Sequence, residues 1–261
     1  EPLVSPAMSS GITKVSRVRE EPKFDPSFDM RSDAGTRKNG EGRDADQYSP
    51  TLRRYHQLLW SKTLPNGQVL DLSIANPRIY LHHSSELGQF FLSSDTVIRT
   101  FVNHPKVRAV IDQIPEDERI EFSRLGYTIG AMMVFPGNRI ERRQTINGAR
   151  GFHPRISDRM DLTLECIRRH YEGGSSPLEG VLVRYSDFFD LFVDFRGYVD
   201  FFLLQDLVND DYTAVRFFAT FDDFRRSALP GSVDEYKAYR AKTLDFVNAR
   251  NARMAEYVRG L

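Results

Sequence analysis

Apolar and polar positions change rhythm several times along the chain, and each change predicts an element. Ser49 and Pro50 precede a run at 51–60 with Leu52, Tyr55, Leu59 and Trp60 on one side; serine as N-cap and proline at the first helical position predict a helix there. Leu64-Pro-Asn-Gly67 is turn chemistry. From Val69 to Ile74 the residues alternate Val69, Asp71, Ser73 against Leu70, Leu72, Ile74, the period of a half-buried strand. Short strands are expected at 79–81 and 90–92, helices at 96–101 and 115–125, and a buried strand at 128–135 closed by the turn at 136–138.

The second half reads as mainly helical. Asp158 is placed to cap a helix reaching Tyr171. Ser176-Pro-Leu-Glu179 has the form of a capping box opening a long helix, and the run from Tyr198 to Val208 is apolar almost all round a helical wheel. A short strand is expected at 215–218, and a second capping box, Ser232-Val-Asp-Glu235, heads a C-terminal helix continuing toward Val258. Residues 1–48 carry little apolar periodicity and read as a flexible polar N-terminal arm, whose later part around Phe24 to Asp29 is expected to dock through its two phenylalanines. Residues 49–261 read as a single α+β domain: a short mixed or antiparallel sheet in the first half, packed by a mainly helical second half with a long C-terminal helix.

Composition narrows the class. The 261 residues carry 36 Lys+Arg against 36 Asp+Glu, which argues against a whole-surface polyanion binder. The cancellation is uneven, however, with arginine concentrated at 139–169 and aspartate at 187–223. One cysteine, Cys166, excludes an intramolecular disulfide and makes a reducing cytoplasm the expected setting. The apolar run at 198–208 is about half the roughly 20 residues of a membrane span and contains Asp200 and Asp206, so no membrane insertion is expected.

The arginine-rich segment is the first candidate for chemistry. Gly148 and Gly151 flank Arg150, and Asn147, Arg150, Arg155, Arg159 and Arg169 supply donors suited to phosphate or carboxylate. Asp161 and Glu165 lie four apart on the following helix and, with His153, form a candidate acid–base or cation-holding set. The competing reading is an ion-paired helix surface, since Glu165 stands at helical spacing from Arg168 and Arg169. Cys166 and His170 are also four apart, but no second ligand pair accompanies them, and no metal site is expected. A charged Asp200 inside an apolar helix needs a cation, and Arg250, within the apolar stripe of the C-terminal helix, is a candidate partner alongside Arg150, Arg155 and Arg159.

Two further clusters stand out. His82-His83, Ser84-Ser85 and Ser93-Ser-Asp95 combine nucleophile and base types, although strand-end serines are commonly turn and cap residues; the combination is similar to sites that grip a nicotinamide ribose in ADP-ribose transfer. Tyr55, His56 and Trp60 read as anchors of the first helix.

At 46–56, 59–67, 145–151, 158–168 and 185–189 the chain resembles a family of bacterial and phage-associated proteins catalogued only as a domain of unknown function. The resemblance runs from about Phe24 to the C-terminal helix. It implies a bacterial cytoplasmic setting and brings no activity, cofactor or catalytic residue. From the residues themselves, two functions stay open. One is a nucleotide- or nucleic-acid-acting transferase or hydrolase with an arginine-rich anion site at 145–169, whose partner is a phosphate-bearing small molecule or nucleic acid. The other is a non-catalytic interaction or homodimeric module.

Overall fold

The computed structural model describes residues 23–73 and 81–261. Helices Ala45–Tyr48 (α1) and Pro50–Trp60 (α2) meet at Ser49, whose hydroxyl accepts the Leu52 N–H at 3.1 Å as expected of an N-cap. Lys62–Thr63 (β1) and Val69–Leu70 (β2) form an antiparallel hairpin across Gly67, whose φ of 84° suits a residue without a Cβ. Leu81–Ser85 (β3), Gly88–Thr96 (β4) and Met132–Pro136 (β5) build a three-stranded antiparallel sheet in that order, with Leu81 opposite Leu92 and Ser94 opposite Val134. Every residue of β5 is buried.

Between β4 and β5 come Arg108–Ile111 (α3) and Glu116–Leu125 (α4). After β5 the regular elements are helices: Ile146–Phe152 (α5), Met160–Tyr171 (α6), Glu179–Leu182 (α7), Ser186–Asp190 (α8), Phe195–Phe201 (α9) and, after a long irregular segment, Val233–Arg259 (α10). Ser232 caps α10 by accepting the Glu235 N–H at 3.1 Å. Within α10, Tyr236, Tyr239, Thr243, Phe246, Val247, Arg250, Asn251 and Met254 are buried, one face at helical spacing. That face packs against α2, α3, α4 and the turn before β5.

The packing there is close. A Cβ on Gly130 would lie 2.6 Å from the Val247 carbonyl oxygen, so only glycine lets the turn reach α10. Asn251 then accepts the Gly130 N–H at 2.7 Å and donates to Thr128 Oγ1 at 3.0 Å. Arg250, fully buried, donates to the carbonyls of Gly130, Met132 and Phe202 at 3.0, 2.8 and 2.9 Å, without a carboxylate. It therefore ties α10 to β5 and to the end of α9. Trp60, Phe188, Phe192, Tyr198, Phe201 and Phe202 fill the space beneath, with neighbouring ring centroids near 5 Å. Burying each such ring contributes roughly 1.5–3 kcal/mol.

Several local expectations are corrected. Residues 1–22 of the expected arm, and 74–80 of the expected strands, lie outside the described residues. From 23 to 48 the chain packs on the domain: Met30 and Ala45 are buried, and Phe24 meets Tyr55 with ring centroids 4.4 Å apart. A few well-placed apolar residues suffice to anchor a polar segment. The stretch at 96–101 is no helix, because β4 runs through Thr96 and the Val97 N–H is taken by Ala131 O at 2.7 Å. In place of one long helix after Ser176, α7, α8 and α9 are separate short helices; their aromatic residues are drawn into one core from several directions, which a single rod cannot achieve. Past Phe201 the helix breaks at Leu203, whose φ is 55°, yet most of this apolar run is buried as the wheel implies. Val215 makes only an isolated bridge to Val208. Asp158 does not cap α6, since its backbone is left-handed at φ 60° and its side chain turns to Arg99.

Candidate functional site

The arginine-rich segment is largely neutralised by its own surroundings. Arg150, on α5, is fully buried: its guanidinium donates to Asp95 Oδ2 at 2.8 Å, Asp158 O at 2.8 Å and Thr163 Oγ1 at 3.2 Å. Arg159 forms a two-pronged pair with Asp161 at 3.1 and 2.5 Å, and Asp161 also accepts the Phe218 N–H at 2.9 Å. Glu165 accepts from Arg168 at 2.8 Å twice and from Arg169 at 2.7 Å, while Arg169 also reaches Asp223 at 2.6 Å. Asp161 and Glu165, buried and saturated by arginine, thus serve as counter-charges. His153 ends α5, its Nδ1 accepting the Arg155 N–H at 3.3 Å. Only Arg155 and Asn147 of the expected set have side chains facing a cavity without a carboxylate partner, and they face different cavities.

The expected pairing of Asp200 with Arg250, or with Arg150, Arg155 or Arg159, is also corrected. Asp200 stays 43% exposed, accepts from Tyr212 and Gln205 at 2.7 and 2.9 Å, and has Arg196 at 3.7 Å. The aromatic run is buried, but this position on it faces outward.

The polar cavity that holds Asn147 lies elsewhere than the arginine cluster. It has a volume of about 460 Å³ and opens between α1, the last residues of β4, the turn after β5 and the start of α5. Asp46, Ser93, Ser94, Asp95 and Asn147 face it, with Arg139 also on the wall. Asn147 donates to Ser93 Oγ at 3.2 Å, and its buried Oδ1 has no hydrogen-bond partner among the described residues. Asp95 keeps 25% of its side chain exposed; burial pushes its carboxyl up to about 6 against the opposing pull of Arg150. Asp46 is pushed up to about 7, first by burial and then by the charges of Asp95 and Asp44.

Behind Asp46 stands a directed chain of hydrogen bonds. The Trp60 indole N–H donates to His56 Nδ1 at 3.0 Å, and an indole can only donate. His56 therefore carries its proton on Nε2 and donates to Ser94 Oγ at 2.9 Å, which leaves the Ser94 hydroxyl to donate to Asp46 Oδ1 at 3.1 Å. His56 cannot act as a base toward Ser94: its free lone pair is occupied, and burial beside the Arg250 charge holds its pKa at about 3. Its place is to fix the Ser94 hydroxyl toward Asp46. Asp46 is the member of the chain whose carboxyl is pushed up to about 7.

In the sequence Ser93-Ser-Asp95 and His56 stand out separately, whereas Asp46 falls in the segment that reads as an arm and carries no signal of its own. The four-residue spacing of His56 and Trp60 on α2 was the available signal; the partner across the fold was not. Among the described residues no group of three or more His, Cys, Asp or Glu side chains could hold a metal ion, and no helix is long and apolar enough to cross a membrane. The large exposed apolar side chains Ile120, Phe152, Val183 and Val193 sit on separate segments.

Fold and site together define an α+β protein with a carboxylate-lined cavity beside a small antiparallel sheet. Residues 24–254 match the model of a family described as a family of unknown function (DUF6994), and the chain belongs to that family. No curated protein and no solved structure matches it.

Proposed function

We propose that the cavity beside β4 is the active site of a hydrolase or transferase acting on a glycosyl or ribosyl bond, with Asp46 as the proton-transferring group. The observation that carries this reading is the directed chain from Trp60 through His56 and Ser94 to a carboxyl opening on a cavity that holds a second carboxylate. The lining of Asp, Ser and Asn side chains suits the hydroxyl groups of a sugar ring, and its acidity disfavours a phosphate at the reacting centre.

In this mechanism Asp46 in its acid form protonates the leaving oxygen or nitrogen as the bond to the ring carbon breaks. Asp95, held by Arg150 and ionised above its value of about 6, faces the positive charge that develops on the ring. Water, or the hydroxyl of an acceptor, then attacks that carbon and gives its proton to the Asp46 carboxylate, which restores the acid. A group titrating near neutrality is suited to both steps. Ser94 orients Asp46 from the cavity wall, and His56 does so through Ser94 without touching substrate.

The test is release of free base or sugar from a panel of nucleosides, dinucleotides and aryl glycosides by the full chain, compared with Asp46→Asn. Turnover on at least one panel member that falls by two orders of magnitude or more in the variant, about 2.7 kcal/mol in the barrier, supports the reading. Turnover equal in both proteins, or none on any member, overturns it.

A further inference from the structure

A second cavity, of about 410 Å³, lies between the loop at 218–231, α6 and α10, within the roughly 300–1,000 Å³ usual for small-molecule sites. Its floor is apolar, with Leu162, Phe218 and Phe224 buried and Phe221 edge-on to Phe224 at a centroid distance of 4.9 Å. Four cationic side chains face it against two carboxylates, Asp222 and Glu235. Partnering divides the cations into two kinds. Arg159 is consumed by Asp161, and Arg226 pairs with Asp222 at 2.9 Å. Lys242 reaches only the Phe217 carbonyl at 3.2 Å, and the Arg155 guanidinium makes no hydrogen bond or ion pair among the described residues. Glu235 is engaged by the Gly231 N–H at 2.7 Å.

The walls are fixed without a ligand. Asp161 accepts the Phe218 N–H, Pro154 O accepts the Ala228 N–H at 3.1 Å, and Arg169 holds Asp223 at 2.6 Å. Asp223 and Phe224 are kept left-handed at φ 59° and 57°, a conformation that persists only where the surroundings enforce it. A site already ordered loses little conformational freedom when it binds.

We infer that this cavity binds a small aromatic anion, a planar ring carrying a phosphate or a carboxylate, with the ring against the phenylalanine floor and the anion on Arg155 and Lys242. An apolar floor and two cations without a carboxylate partner at one opening supply the two complementary halves of such a ligand. The site stands apart from the Asp46 cavity and does not depend on the activity proposed there.

Calorimetric titration of the full chain with AMP and with indole-3-acetate, each beside its neutral counterpart, adenosine or indole-3-ethanol, tests this. At least one anion should bind with Kd below about 1 mM and at least tenfold tighter than its neutral counterpart, and the preferred anion separates phosphate from carboxylate. Arg155→Ala combined with Lys242→Ala, both exposed positions, should weaken binding at least tenfold with an unchanged melting temperature. Arg155→Lys with Lys242→Arg should restore it, and Asp46→Asn should leave it intact. Failure of both anions to bind, equal binding of the neutral compounds, indifference to the double alanine variant, or loss of binding in Asp46→Asn would overturn the inference.

Discussion

Replacing Asp46 by asparagine should make the protein more stable at neutral pH and leave it unchanged in acid. A carboxyl raised in the folded state to about 7, from its ordinary 3.8, binds its proton more tightly folded than unfolded. Protonation therefore favours folding: the contribution is fully present below about 4 and is lost as pH rises through about 7. At about 1.36 kcal/mol per pKa unit the full loss is about 4 kcal/mol; water in the open cavity screens the charge and leaves about 2 kcal/mol. Asparagine keeps an acceptor for the Ser94 hydroxyl and never ionises, so it removes this penalty. Urea unfolding of both proteins between pH 4 and 8.5 measures the difference. The variant's advantage should be near zero at pH 4, climb between pH 4 and 7, and level off at about 2 kcal/mol, roughly 5 °C in melting temperature. A difference that stays flat across that range would refute the assignment of Asp46 as a strongly raised carboxyl, and with it the proton-transfer role.

Three other outcomes follow from the same geometry. Asp161→Asn leaves Arg159 buried without its counter-charge and should cost about 3 kcal/mol in urea unfolding; a loss under about 1 kcal/mol would mean that the pair is not desolvated. Gly130→Ala drives a methyl group against the Val247 carbonyl and should cost about 1–3 kcal/mol in thermal unfolding, with α10 losing protection from hydrogen exchange before α6. Cys166, fully buried with its thiol pushed up to about 12 mainly by burial, should react with a disulfide reagent only at the rate of unfolding; rapid labelling of the native protein would contradict its burial.

Much of the candidate site was legible as residue types and little of it as an arrangement. Ser93, Ser94 and Asp95 stand together in the sequence and remain together on β4, because strand neighbours are fixed by the backbone. Asp46 and Asn147 reach the same cavity from segments that are respectively 48 residues before Ser94 and 54 after Ser93. No periodicity encodes such a meeting. The arginine-rich stretch shows a related limit: linear density of donors says nothing about which of them are already answered. Glu165 with Arg168 and Arg169 could be read from helical spacing, but Arg150 with Asp95 required the sheet and α5 to be in place.

The sequence by itself determined the elements whose signals are local. The Ser49 and Ser232 caps, the turn at Gly67, the buried strand ending at Pro136 and the apolar stripe of α10 depend on residues within a turn or two of each other, where backbone sterics and near-neighbour hydrogen bonds decide. Tertiary structure alone decided the division of 176–201 into short helices, the docking of 30–48 beyond the two phenylalanines and the ionisation of Asp46 and Asp95. Those depend on how far water is excluded and on which charges are brought near, and both are properties of the packed chain.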